Sequence, residues 1–246
     1  MIVCFTGTGN SLFVARKLHE LSGDRLIVLE NDLLTKPGTI EGNPDRIIWV
    51  FPTYSWGVPP VVIRFIREAT VEVSEKCDHF MVTTCGDDIG NCHKMWRNEI
   101  KRRGWKPMAA FSVTMPNTYV NMTGFDVDSP ELEKKKIDLA ADRIRHIANQ
   151  ITLKSTDDDV VRGSWPWVKT SLIYPWFIRF EMSADRFKVN TGLCTSCGLC
   201  SRNCPTRNIV MTDGSPKWNN NCAMCLRCYH ICPVHALQIC SCHCVS

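Results

Sequence analysis

The sequence predicts an α/β chain of two units. A doubly wound, five-stranded parallel sheet is expected over residues 1–153, and a smaller α+β unit ordered by metal-bound thiolates over 186–246, with an aromatic-rich linker over 154–185 between them. Three observations carry this reading. Short apolar runs alternate with amphipathic stretches through the first unit; a Gly/Thr-rich turn joins the first run to the first amphipathic stretch; and eight of the fifteen cysteines fall into two copies of one spacing.

The chain opens on Met1-Ile-Val-Cys-Phe5, a run that reads as a buried parallel strand. Leu12, Ala15, Leu18 and Leu21 then recur at helical spacing, and Gly23 is placed to end that helix. Further apolar runs predict strands over 26–29, 47–51, 80–84 and 108–113, alternating with helical patterns near 61–69, 92–103 and 131–151. Five strands alternating with helices describe a doubly wound parallel sheet, whose ligands sit beyond the carboxyl ends of the strands at the switch point.

Between the first strand and helix lie Thr6, Gly7, Thr8, Gly9, Asn10 and Ser11. A helix amino terminus offers free N–H groups, glycines let the backbone close on an anion, and hydroxyls add donors, so the loop suits a phosphate monoester. It lacks the Lys of a Walker loop and the spacing of a dinucleotide fingerprint, which argues against ATP and NAD. A plain strand–helix connection is the alternative.

In the second unit, Cys194, Cys197, Cys200 and Cys204-Pro205, then Cys222, Cys225, Cys228 and Cys232-Pro233, write C-x2-C-x2-C-x3-C-P twice. This is the ligand spacing of two 4Fe-4S clusters: three thiolates around a tight loop meet three irons, and the distant fourth comes from the other half of the fold. In that arrangement Cys194, Cys197, Cys200 and Cys232 hold one cluster, and Cys222, Cys225, Cys228 and Cys204 the other. A disulfide framework or paired zinc sites would explain neither the third cysteine nor the Cys-Pro of each run. Each copy precedes a similar apolar strand, over 208–211 and 236–239, so the unit reads as an internal repeat. It resembles the bacterial two-cluster ferredoxins.

Composition bounds the remaining classes. A net charge of +4, without a Lys/Arg block interleaved with aromatics, excludes a nucleic-acid partner. No apolar run reaches the length of a transmembrane segment and no leader pattern opens the chain, so a cytoplasmic protein of a low-oxygen cell is expected. From Arg186 onward six Lys/Arg face one acid, Asp213, an excess read as offsetting cluster charge.

Three loops make the first unit similar to flavodoxin, and the whole chain resembles the flavodoxin–ferredoxin fusions of anaerobes. They are Thr6 to Ser11, then Ser55-Trp56-Gly57 after Thr53 and Tyr54, then Cys85-Gly86-Asp87 with Asp88. The resemblance implies FMN: its phosphate in the first loop, Trp56 over one ring face, the peptide at Gly57 turning toward N5, and Asp87 and Asp88 near the oxygen edge lowering the potential. For Trp56 an ordinary core aromatic is the alternative, and for the acids solvated loop charges. Flavodoxins usually supply a second aromatic after the fourth strand; here Asp88-Ile-Gly90 stands in its place. Either Tyr119 covers that face, as a residue of the loop after the fifth strand, or it is a surface tyrosine.

The polar run 155–159 reads as a break between units, and the linker, interrupted by Pro166 and Pro175, as packing Trp165, Trp167 and Trp176 against the domains. Contact with a membrane surface is the alternative, because Lys169, Arg179 and Arg186 flank the aromatics. Cys240, Cys242 and Cys244 form a tail of free thiols or an extra metal site. The function expected from all this is electron relay between two 4Fe-4S clusters and FMN, coupling one-electron donors to a flavin-level acceptor, with donor or acceptor proteins as partners and homo-oligomers possible. The alternative is an FMN-dependent reductase of a small molecule, refilled by the clusters.

Overall fold

The computed structural model describes residues 1–35, 38–74, 76–121 and 126–239. Parallel strands β1 (Ile2–Cys4), β2 (Leu26–Val28), β3 (Arg46–Pro52), β4 (Asp78–Cys85) and β5 (Lys106–Thr114) form one sheet in the order 2-1-3-4-5. Helices α1 (Asn10–Ser22), α2 (Pro60–Glu68), α3 (Cys92–Arg102) and α4 (Pro130–Thr152) cover its two faces. Successive residues of a strand point to opposite sides. Val3, Phe5, Ile47, Trp49, Phe51 and Met81 therefore share a core with Phe65, Trp96 and Ile100 of α2 and α3, while Ile2, Cys4, Ile48, Val50, Phe80 and Val82 share one with Val14, Leu18, Ile144 and Ile147 of α1 and α4.

Helix α1 starts one residue earlier in phase than its leucines suggest. Its buried stripe is Ser11, Val14, Ala15 and Leu18, and Leu21 is half exposed. Gly9 (φ 119°) and Gly23 (φ 71°) bracket the helix in left-handed conformations that glycine adopts without strain.

The polar run near 157 is not a free break. Asp159 donates its N–H to the Ala110 carbonyl and accepts from the Ser112 N–H, at 2.9 and 3.2 Å, and the Asp158 carboxylate accepts from the Ala110 N–H at 2.9 Å. Arg143 and Arg97 hold the two aspartates in turn. The run closes the outer edge of β5, which would otherwise present unpaired backbone groups.

The linker also departs from expectation. Residues Pro166–Val168, Lys169–Ile173 and Tyr174–Phe180 form one continuous helical segment, the middle part a π-turn. Pro166 lies in the first turn, where a missing N–H leaves nothing unpaired, and the wider π-turn leads into Pro175, which has no N–H to donate. Trp165, Trp167 and Trp176 do not pack inward; they are 77%, 62% and 46% exposed. The inner face is Thr170, Tyr174 and Phe177.

In the carboxyl-terminal unit β6 (Phe187–Val189) pairs antiparallel with β9 (Leu237–Ile239), and β7 (Ile209–Thr212) with β8 (Ser215–Trp218). Phe187 stacks on Trp218 at 5.2 Å in a small core with Ile209 and Leu237. The cysteine tail, Cys240, Cys242 and Cys244, lies outside the described residues. Among those residues no helix is long and apolar enough to cross a membrane.

His79 in β4 is fully buried, stacked on the Trp105 ring with Trp49 beside it, and its Nδ1 accepts from the Trp49 indole N–H at 3.1 Å, which requires a neutral imidazole. Burial lowers its pKa from 6.5 to about 4, and does the same for His93. The unfolded chain therefore takes up these protons first, so the stability tied to each ring is whole above pH 6.5 and is lost as pH falls toward 4. We expect the urea midpoint of tryptophan fluorescence to fall from pH 7 to pH 5 by the equivalent of on the order of 2 kcal/mol for His79. The fall should be smaller in His79→Phe; an equal fall in that variant would show that His79 does not titrate this way.

Candidate metal centres and the adjoining glycine loop

Two cavities of the carboxyl-terminal unit are walled by cysteines. One is lined by Cys204, Cys222, Cys225 and Cys228, the other by Cys194, Cys197, Cys200 and Cys232. The fourth cysteine of each set comes from the opposite repeat. Among the described residues no three His, Cys, Asp or Glu side chains converge on a point fit for a single metal ion. A zinc site would draw its sulfurs to about 2.3 Å from one centre, and no such convergence is present among the described residues.

The two C-x2-C-x2-C loops share a backbone pattern that their sequences do not show. Ser196 and Gly198 in the first, and Met224 and Leu226 in the second, all have positive φ, between 48° and 70°. Arg207 and His235, each three residues after the Cys-Pro cysteine, repeat the match at 50° and 48°. Such alternation turns successive N–H groups toward one centre and suits an anionic cluster. Amides already point at sulfur: Asn208 N–H to Cys204 Sγ at 3.2 Å, Met224 to Cys222 at 3.4 Å and Ala236 to Cys232 at 3.3 Å. Burial pushes the Cys222 thiol up to about 12 and raises Cys225 and Cys228, so iron binding must expel these protons. Cys197, by contrast, is exposed, and the Leu199 N–H lowers its pKa.

The inner cage, that of Cys225, sits directly on the amino-terminal domain. A Cβ at Gly7 would overlap the Cys225 carbonyl oxygen and come within 3.1 Å of the Cys225 Cβ, so only glycine permits the approach. Arg227, between two cluster ligands, donates to the carbonyls of Thr6 and Gly7, both at 2.9 Å. Asn31 N–H donates to the Pro205 carbonyl at 2.6 Å, Arg207 pairs with Asp32 at 2.6 Å, and His230 Nε2 bonds the Thr118 carbonyl at 2.9 Å. Arg186 donates to the Asn121 carbonyl at 2.8 Å. Three of the six basic residues read as offsetting cluster charge thus face the amino-terminal domain.

The predicted loops of that domain converge at the carboxyl ends of β1, β3, β4 and β5. Thr8 Oγ1 donates to Thr118 Oγ1 at 3.1 Å, Asn10 Nδ2 to the Pro116 carbonyl at 2.8 Å, Ser11 Oγ meets Thr84 Oγ1 at 2.8 Å, and Thr53 N–H donates to the Thr84 carbonyl at 2.7 Å. The backbone N–H groups from Gly7 to Ser11 donate to no described residue, and the buried Thr6 hydroxyl has no partner. An unspent row of donors opening a thirteen-residue helix fits a phosphate group.

The ring-side loop is arranged differently from expectation. Tyr54 and Gly57 close a tight turn through mutual N–H to carbonyl bonds of 2.9 Å, with Ser55 (φ 42°) and Trp56 (φ 65°) carrying the positive angles. Gly57 is not among the positive-φ residues; it is glycine because the Tyr174 ring covers it, with Cγ 2.7 Å from where a Cβ would stand. The Trp56 carbonyl accepts from Thr170 Oγ1 at 2.8 Å, and Lys169 Nζ lies 5.0 Å from the Trp56 ring centre and 2.6 Å from the Asp88 carboxylate. The peptide expected to turn toward a flavin N5 is therefore held by the linker helix, and Asp88 is charge-paired. Asp87 stays exposed, and Gly86 lies 3.4 Å from Asn117 Oδ1 as measured from its Cβ position. Cys85 is buried and points at the Val113 carbonyl. Tyr119 is not a bare surface tyrosine; it is half-buried and packs against Phe177 and the cysteine-unit core.

Sequence reasoning missed Arg227, Thr170 and Tyr174. Arg227 carried one signal, a charged residue inside a ligand loop where the first repeat has Leu199. The linker residues carried none, since their partners lie more than a hundred positions away.

If the sets cross as the cavities indicate, Cys204→Ser and Cys222→Ser should alter the same electron paramagnetic resonance signal, and Cys194→Ser and Cys232→Ser the other. Each should lower iron from about eight to about four atoms per chain. Paired loss within one repeat, Cys194 with Cys204, would contradict the crossing.

Residues 193–237 match the family of 4Fe-4S dicluster domains. No curated protein matches the chain. The carboxyl-terminal unit is a 4Fe-4S dicluster domain of ferredoxin type, joined to an amino-terminal parallel-sheet domain.

Proposed function

We propose that the chain is an electron-transfer protein in which two 4Fe-4S clusters and an FMN held by the amino-terminal sheet form one relay, exchanging electrons with partner proteins. The seat of the inner cysteine cage on Gly7 carries this reading, because it sets cluster ligands against the loop best suited to a mononucleotide phosphate. Strand order 2-1-3-4-5, the free N–H row from Gly7 to Ser11 and the unpaired Thr6 hydroxyl support the FMN assignment.

Within this reading the exposed Cys197 marks the outer cluster as the point of exchange with a partner. Cys204, Cys222, Cys225 and Cys228 hold the inner one, nearer the flavin. When bound, FMN supplies a carrier of one or two electrons, so the relay matches single-electron partners to two-electron ones. Thr6, Thr8 and Ser11, with the loop amides, bind the phosphate. Arg227 fixes the cage to the loop, and Tyr54, half-buried with its hydroxyl enclosed near Cys222 and Cys225, excludes water between the two sites. Asp87 is the acid left to act on the ring edge.

Anaerobic reconstitution with iron, sulfide and flavin tests the assignment. About eight iron atoms and one FMN per chain are expected, with FMN bound at least about tenfold more tightly than riboflavin, because only the former engages the loop. Thr6→Ala should weaken FMN by about fivefold, the loss of one hydrogen bond worth about 1 kcal/mol, with iron content unchanged. Equal affinity for riboflavin, or full iron without any flavin, would contradict it.

A further inference from the structure

The linker helix Pro166–Phe180 presents a face that the rest of the chain does not use. Its inner side is fixed: the Tyr174 hydroxyl donates to the Val58 carbonyl at 2.6 Å, Thr170 Oγ1 to the Trp56 carbonyl, and Phe177 meets Tyr119. On the outer side stand Trp165, Trp167, Leu172, Ile173, Trp176 and Phe180, each at least 38% exposed. So many large apolar side chains on one short segment exceed what single scattered surface residues account for.

Charge decides what covers this face. Between residues 160 and 180 there are three bases, Arg162, Lys169 and Arg179, and no acid. Asp88 neutralises Lys169, which leaves Arg162 and Arg179 beside the aromatics. The segment is fifteen residues, about 22 Å as a helix, too short to span a bilayer but suited to lie in its interface. Tryptophan, with an apolar body and a polar N–H, is the residue enriched at that depth, and arginines at the rim meet anionic headgroups.

We propose that this helix docks the protein on the surface of an anionic bilayer, with the tryptophans entering the headgroup layer. Docking would hold the redox centres at the membrane without a spanning segment. It does not depend on the FMN assignment.

The test uses the full chain with its clusters and vesicles of phosphatidylcholine, with or without about 30% phosphatidylglycerol. Flotation should recover the protein with the anionic vesicles at least about tenfold more than with the zwitterionic ones, with a blue shift of tryptophan emission. Trp165→Ser/Trp167→Ser/Trp176→Ser should abolish flotation, and Arg179→Glu should reduce it roughly tenfold, both with cluster absorbance retained. No flotation with either vesicle, or undiminished flotation of the triple variant, would overturn the proposal. So would concentration-dependent dimers that the triple variant abolishes, since the face would then be covered by a second copy.

Discussion

The contact between Gly7 and Cys225 is the constraint on which the molecule's organisation rests. A loop at the carboxyl end of the first strand and a cluster-ligand loop more than two hundred residues later approach so closely that no side chain larger than hydrogen fits. Arg227 clamps the approach from the cluster side by binding two carbonyls of the glycine loop. The loop's oxygens thus serve the cysteine unit, while its N–H groups from Gly7 to Ser11 donate to no described residue and, in the proposed function, are the ones that meet the phosphate. The bonds from Asn31, Asp32, Thr118 and Asn121 extend the same seat around the carboxyl edge of the sheet. The dicluster domain is thus docked through specific polar contacts rather than tethered.

The linker completes this arrangement from the other side. Ser55 and Trp56 occupy left-handed angles that side chains disfavour at roughly 1 kcal/mol or more each. Thr170, Lys169 and Tyr174 hold that turn in place. Whatever binds beside Trp56 meets a rigid wall, and any movement of its peptide must be paid for by lifting the linker helix.

Much of this was legible in the residues. Five apolar runs placed the five strands because a parallel strand covered on both faces must be apolar throughout, and the doubled cysteine spacing predicted the dicluster domain, in which one cysteine of the opposite repeat lines each cysteine pocket. The domain seat was not legible, since it consists of backbone carbonyls and one missing Cβ, and carbonyls leave no trace in a sequence. The approach of Tyr174 to Gly57 was not legible for a related reason: a glycine needed for a neighbour's approach looks the same as one needed for conformational freedom. The aspartates near 158 resembled a solvated break because edge capping needs only short acceptors. The linker tryptophans were expected inside because apolar residues usually are, yet Thr170, Tyr174 and Phe177 alone supply the inward stripe.

The central claim, that the inner cluster adjoins the mononucleotide site, is tested most directly by electron paramagnetic resonance of the dithionite-reduced protein before and after FMN is added to flavin-free material. The signal removed by Cys222→Ser should shift or relax faster when FMN binds, while the signal removed by Cys194→Ser stays unchanged. A response confined to the Cys194 cluster, or none in either cluster with FMN bound, would contradict the account.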